Sequence, residues 1–353
     1  MALAVDLQDG PDEAPVESRD LGGRRSLRLI GLVAALLLLG LVIVASLAFG
    51  AKFIPFGESW RLWWHNDGST NAAIIHDLRL PRTLVGVLVG AALGLSGALM
   101  QALTLNPLAE PGLLGVNLGA SAGVVLAIAF LGVTTISGYV WFAFAGAAIT
   151  SVIVFLLGNT GRSATPDRQI LAGVAITTVM GSGIYAVIVI KPDVFNKYRF
   201  WEVGSLGDVS VPAAWRVAPF VIAGLLLALS LGPALNALAM GEETGRALGA
   251  HVMRTRLLGM LAVTLLCGGA TAVVGPIYFV GLAVPHVTRM FTGPDQRWIL
   301  LYSMVLAPVL LLTADIIGRV IVSPSELEVG IVTAFVGAPM FIILARRRRL
   351  AQL

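Results

Sequence analysis

Asp315, in "LLLTADIIGRV", is an acid set deep in a long apolar run, and Arg319 follows it one helical turn later. An acid and a base at i and i+4 share one helix face. In lipid they most simply form a structural ion pair, which lowers the cost of burying either charge. A second polar intrusion is "TLNPLAEP", residues 104–111, which places an Asn, a Glu and two prolines between one apolar run and the next. Pro107 and Pro111 stop a helix from continuing, and the freed backbone must face protein or water rather than lipid. The stretch is therefore either the wall of a cavity or an ordinary capped turn.

Little else in the chain could do chemistry. His65, His76, His251 and His286 show no i, i+4 pairing and no nearby acidic cluster, and Cys267 is the single cysteine. No metal-ligand spacing and no disulfide framework follow from these positions. G-x-S-x-G, H-E-x-x-H and paired carboxylates are absent, so a membrane enzyme has few site elements to draw on. Lys52, Lys191 and Lys197 are the only lysines. None follows a G-x-x-x-x-G frame, so the chain has no phosphate loop for ATP. No cofactor is expected, and no basic stripe interleaved with aromatics suggests nucleic acid.

The elements that position these residues are membrane helices. Charged residues make up 12% of the chain and apolar ones 57%, whereas a soluble domain carries about 25% charge. Apolar runs of about 20 residues, long enough for a ~30 Å hydrocarbon core, recur from Leu29 nearly to the C-terminus. After that first run, spans are expected at 83–104, 112–133, 136–158, 168–190, 216–238, 257–275, 277–291, 298–320 and 327–345. The stretch 277–291 is short and barely reaches across. Basic flanks at both ends, "RRSLR" and "ARRRR", place both termini in the cytoplasm. That requires an even number of crossings, hence about ten in an all-α polytopic membrane protein. Residues 1–28 read as a disordered cytoplasmic tail, 29–345 as the transmembrane domain and 346–353 as a basic cytoplasmic tail. Gly86, Gly90, Gly94 and Ala98 fall on one helix face, as do Gly115, Gly119 and Gly123. Small residues at this spacing let helices approach closely, for packing or as walls of a path.

Six strings then line up with a known family. "LRLPRTLVGVLVGAALGLSGALMQALTLNPLAEPGLLG", "FWEVGSL", "GRALG", "FVGLAVPHVTRMFTG", "ADIIGR" and "GIVTAFVGAPMF" resemble the permease subunits of iron–siderophore and cobalamin ABC importers, the FecCD-type family. The likeness runs from about residue 30 to 345. It implies a type II ABC importer permease fold, cobalamin-permease-like, in a bacterial cell membrane. It also implies a second permease copy or paralogue, two ABC ATPase subunits and an extracytoplasmic substrate-binding lipoprotein. Ferric siderophore is the commonest cargo of the family, with haem and cobalamin as alternatives. An ion-coupled secondary transporter is the reading from another class, supported by Asp315 alone.

The resemblance also implies roles. Asn106, Pro107 and Leu108 match an inner gate. Arg79, Arg82 and Arg319 match arginines that dock the binding protein through salt bridges; interfacial anchoring, or pairing of Arg319 with Asp315, is the plainer account. Residues 241–256, with Glu242, Arg246, Ala247, Leu248 and Gly249, match the loop that couples to the ATPase, against an ordinary solvated loop. The chain departs from the family pattern at Leu105, where a basic residue is usual, and at Glu328, where proline is common.

Overall fold

The computed structural model describes residues 19–158, 166–207, 209, 211–247, 249 and 251–347. Leu248 and the outer parts of both expected tails lie outside these. The described residues are almost wholly helical, in keeping with apolar runs whose backbone polar groups must be satisfied within each segment. From the N-terminus come α1 (Arg19–Ala48), α2 (Phe56–Trp64), α3 (Thr70–Ala73), a π-helical turn (Ile74–Arg79) and α4 (Leu80–Leu103). A 3-10 turn (Pro111–Leu114) leads to α5 (Val116–Leu131), α6 (Ile136–Gly158), α7 (Pro166–Ile190), α8 (Pro192–Glu202) and α9 (Val211–Ser230). Next are α10 (Gly232–Ala239), α11 (Glu242–Ala247), α12 (Val252–Val263), a second π turn (Thr264–Gly268) and α13 (Gly269–Val274). The chain closes with α14 (Val280–Thr292), α15 (Gln296–Ile321) and α16 (Val329–Arg347).

Among the described residues, seven stretches are long and apolar enough to cross a membrane, and two shorter apolar helices, Val116–Leu131 and Val329–Ile343, join them. The short stretch expected at 277–291 corresponds to α14. Helix α14 has 13 residues and covers only about 20 Å. The non-helical residues 275–279 lead into it from the end of α13. Gly275, Pro276 and Ile277 are buried, and the neighbouring Ser205 N donates to Val274 O at 2.8 Å. Gly204, in the left-handed region at φ +77°, brings its Cα face against Pro276 O, where a Cβ would sit 2.5 Å away.

The expected spans are found with shifted ends. The run expected at 216–238 breaks at Leu231, because Pro233 lies in the first turn of a new helix, α10, and cannot extend the preceding one. Helix α1 begins at Arg19, ahead of the boundary expected at 29. Helices α2, α3 and α8 form outer elements that the hydropathy reading does not contain. Helix α3 is capped by Ser69, whose Oγ accepts from Ala72 N at 3.1 Å, as short polar side chains do at helix starts.

Helix α4 is the centre. Together with the outer turns it forms a continuous helical stretch, Thr70–Leu103, buried almost throughout, whereas α1 and α7 leave most of their surface open. The glycine stripe on α4 meets α15: a Cβ on Gly90 would lie 2.5 Å from Pro308 Cα, and one on Gly94 2.5 Å from Ser303 O. Gly119 and Gly123 likewise press α5 against the backbone of Gly146 and Phe142 in α6. These stripes pack helices together.

Candidate functional site

Chemistry-bearing side chains gather at the two ends of α4. At its N-terminal end, expected to be the outer one, lies a cavity of about 440 Å³, lined in part by Arg79, Arg82, Arg319, Glu326 and Glu328. The three arginines expected to reach outward are used very differently. Arg79 is 5% exposed. Its Nη1 donates to Leu47 O at 2.7 Å and Ala48 O at 2.8 Å, and its Nη2 donates to Lys52 O. These are carbonyls at and beyond the end of α1, which lack partners within that helix. The guanidinium therefore caps α1.

Arg319 is 2% exposed. Its Nη2 lies 3.0 Å from Asp315 Oδ2 and donates to Ser46 Oγ at 2.9 Å, while Nη1 donates to Ser46 O at 3.1 Å. Arg82 grips the other side of the same carboxylate, with Nη2 at 2.7 Å and Nε at 3.0 Å from Asp315 Oδ1. Its Nη1 reaches Glu326 Oε2 at 2.6 Å. Asp315 itself is fully buried, so one carboxylate serves two guanidiniums. Of the three arginines, Arg82 is the one whose charge pair extends to a partly exposed rim acid. Arg79 and Arg319 point their donors inward; they stand beside the outer cavity but do not offer free guanidiniums to it.

At its C-terminal end, expected to be the inner one, α4 finishes at Leu103 and the chain makes a compact loop. Asn106 N donates to Gln101 O at 3.2 Å, Asn106 Oδ1 accepts from Leu108 N at 3.1 Å, and Ala109 N donates to Asn106 O at 3.0 Å. An Asn side chain bonding two residues on stabilises this kind of turn, and Pro107 needs no donor of its own. Asn106, Pro107 and Leu108 are half-buried. Leu105 adopts a positive φ of 50°, which a side chain makes unfavourable.

Just above this loop, Gln101 stitches α4 to α14. Its Nε2 donates to Leu282 O at 3.2 Å, and its Oε1 accepts from Arg289 Nη1 at 2.9 Å. Glu110 Oε1 accepts from Phe279 N at 2.8 Å. A third polar group lies toward the outer side, where Glu202 Oε2 accepts from Ser121 Oγ at 2.8 Å and from Tyr198 Oη. Sequence reasoning assigned no role to Gln101, Glu110, Glu202 or Ser46. Glu110 carried a readable signal, since an acid beside a membrane-edge proline must find a partner.

Residues 241–256, expected to couple to an ATPase, contain the short helix α11 and the start of α12, with Arg246 and Ala247 exposed. Gly249 follows at φ +82° with nothing within 4 Å of a Cβ built there. A turn that only glycine adopts readily is thus present after α11. Just ahead of this stretch, Asp295 ties α10 to α15, accepting from Asn236 Nδ2 at 2.8 Å while capping α15 through Arg297 N at 3.1 Å. No group of three or more potential metal-ligating side chains occurs among the described residues.

Comparison with known proteins agrees over nearly the whole length. The chain is 48% identical over 324 residues to the ferric enterobactin transport system permease protein FepD of Escherichia coli, covering 91% of this chain and 96% of that one. It is 36% identical over 330 residues to the hemin transport system permease protein HmuU of Yersinia pestis, with 90% and 98% covered. Among solved structures, an inward-facing metal-chelate type ABC transporter superposes with a TM-score of 0.76 at 27% identity, over 92% of this chain and 99% of that one. The FecCD transport family matches residues 36–347, and the chain belongs to it: it is a membrane-spanning permease subunit of an ABC importer, with no catalytic role of its own.

Proposed function

We propose that this permease carries a ferric siderophore across the bacterial inner membrane. It takes the chelate from an extracytoplasmic binding protein and is driven by two partner ATPases. The observation that carries the reading is the 48% identity to a ferric enterobactin permease over 91% of the chain. Haemin is the second reading, supported by the 36% identity to a hemin permease.

In this reading each end of α4 has a task. The binding protein docks on the outer rim, where an incoming carboxylate can compete with Glu326 for the Arg82 fork. Arg suits that exchange because it grips carboxylates through paired donors. Arg79 and Arg319 hold the rim from behind. The loop at Asn106, Pro107 and Leu108 closes the inner end. Residues 241–256, with α11, the turn at Gly249 and the residues Glu242, Arg246, Ala247 and Leu248, meet the ATPase, and both termini lie in the cytoplasm.

The test is reconstitution in proteoliposomes with the cognate ATPase and binding protein. The permease alone is expected to hydrolyse no ATP, and the complete system to take up iron-labelled siderophore. Turnover by the ATPase-free chain, or uptake of haemin but not siderophore, overturns the reading. The gate has its own test. Leu108→Ala removes apolar volume from a half-buried loop position, so assembly should survive while substrate leak or futile hydrolysis rises several-fold. Wild-type leak and hydrolysis would leave residues 106–108 as an ordinary turn.

A further inference from the structure

We infer that Glu110 is a positioning residue, a latch that holds the inner loop against the break ahead of α14 and lets go when the inner end opens. This rests on the proposed gate role of residues 106–108. Its basis is a coincidence of three features.

First, the loop is stiff within itself. The Asn106 side chain and the Ala109 amide close it around Pro107, so residues 106–110 can move as one body. Second, the two non-glycine residues with positive φ among the described ones are Leu105 at 50° and Phe279 at 70°. Both conformations are sparsely populated for side chains of this size, and such outliers persist where surrounding structure holds them. Leu105 is the joint between α4 and the loop. Phe279 is the residue at which α14 begins.

Third, the far end of the loop is fastened to that same strained residue. Glu110 Oε1 accepts from Phe279 N at 2.8 Å across 169 positions of sequence. A carboxylate at the first amide of a helix is favoured by both the free N–H and the helix dipole. Tyr278 flanks the junction, its ring 3.8 Å from where a Gly112 Cβ would stand.

The gate residues thus lie between a hinge and a catch. The catch also reaches α16. Phe279 packs so closely on Gly337 that a Cβ there would sit 2.2 Å from Phe279 Cβ. Releasing Glu110 frees the loop, relaxes Phe279 and loosens this contact in one step.

The experiment uses the whole transporter in nanodiscs, with hydrogen–deuterium exchange resolved by peptide and ATP hydrolysis measured with and without binding protein. Glu110→Ala should speed exchange about tenfold, the factor that ~1.4 kcal/mol confers, in peptides covering 105–115 and 277–283. Exchange elsewhere should stay near wild type, and hydrolysis without binding protein should rise. Glu110→Gln keeps an oxygen that can accept from Phe279 N, so it should retain most of the protection and serve if the alanine variant fails to assemble. Unchanged exchange at both segments, an increase spread evenly over all helices, or equal effects of Ala and Gln would each overturn the latch. Leaky Leu108→Ala alongside a silent Glu110→Ala would sink the latch alone, whereas a silent Leu108→Ala would remove the gate on which it acts.

Discussion

Asp315→Asn is expected to unfold the outer half of the helix bundle, or to prevent its assembly. The wild-type carboxylate is fully buried and holds Arg82 at 2.7 Å and Arg319 at 3.0 Å. Asparagine keeps the shape but removes the charge, leaving two guanidiniums side by side with only Glu326 to balance them. Removing one partner of a buried ion pair costs about 3–5 kcal/mol, because the remaining charge stays desolvated. Here two charges are left. The effect should appear as a large fall in thermal unfolding temperature in detergent and in the yield of monodisperse permease. Adding Arg319→Met should recover part of the loss, since an apolar side chain of similar length no longer needs the acid. An Asn variant that melts with the parent would show that water reaches this carboxylate and that the triad is not a structural centre.

The second large effect is expected at Gly97. A Cβ placed there would stand 1.9 Å from Gly281 O and 2.4 Å from Gly281 Cα. Both atoms are backbone, so no side chain can turn aside. Dispersion and close backbone approach, rather than hydrophobic burial, drive helix association in lipid, so separating α4 from α14 forfeits the contacts that hold them. Overpacking costs about 1–3 kcal/mol where neighbours can relax, and here relaxation means moving a helix. Gly97→Ala should lower the unfolding temperature measurably, and Gly97→Leu should abolish folded protein. Gly40→Ala is the control. Nothing lies within 4 Å of its Cβ position, and alanine favours a helix by about 0.5–1 kcal/mol over glycine. Equal behaviour of the two alanine variants would contradict the crossing geometry.

How far the molecule could be read in advance depends on the range of the interactions. The membrane spans were legible because a run of about 20 apolar residues reports its own environment. The glycine stripes were legible because i, i+4 spacing puts them on one face whatever they meet. Asp315 and Arg319 were paired for the same reason. Helices α2 and α8 escaped notice because both are short and carry polar residues among their aromatics. What they bury is decided by distant segments. Arg79 shows the limit best: its outward position followed from topology, but its acceptors, Leu47, Ala48 and Lys52, are carbonyls that no side-chain pattern announces. Glu110 met its partner through another backbone amide, at Phe279, which is equally silent in a sequence.

The length of the helical stretch Thr70–Leu103 has a mechanical consequence. Its 34 residues make a rod of about 51 Å, well beyond a ~30 Å hydrocarbon core. Arg79 and Arg82 lie nine and twelve residues in from one end, and the other end delivers the loop at residues 104–110. A stiff rod conveys displacement without a relay of side chains. Tilted by about 5° about its middle, a 51 Å helix would swing each end through about 2 Å in opposite directions. Its glycine face rests directly on the backbone of α15 at Pro308 and Ser303, which gives that motion a fulcrum. A push on one side of the membrane is then felt on the other as leverage.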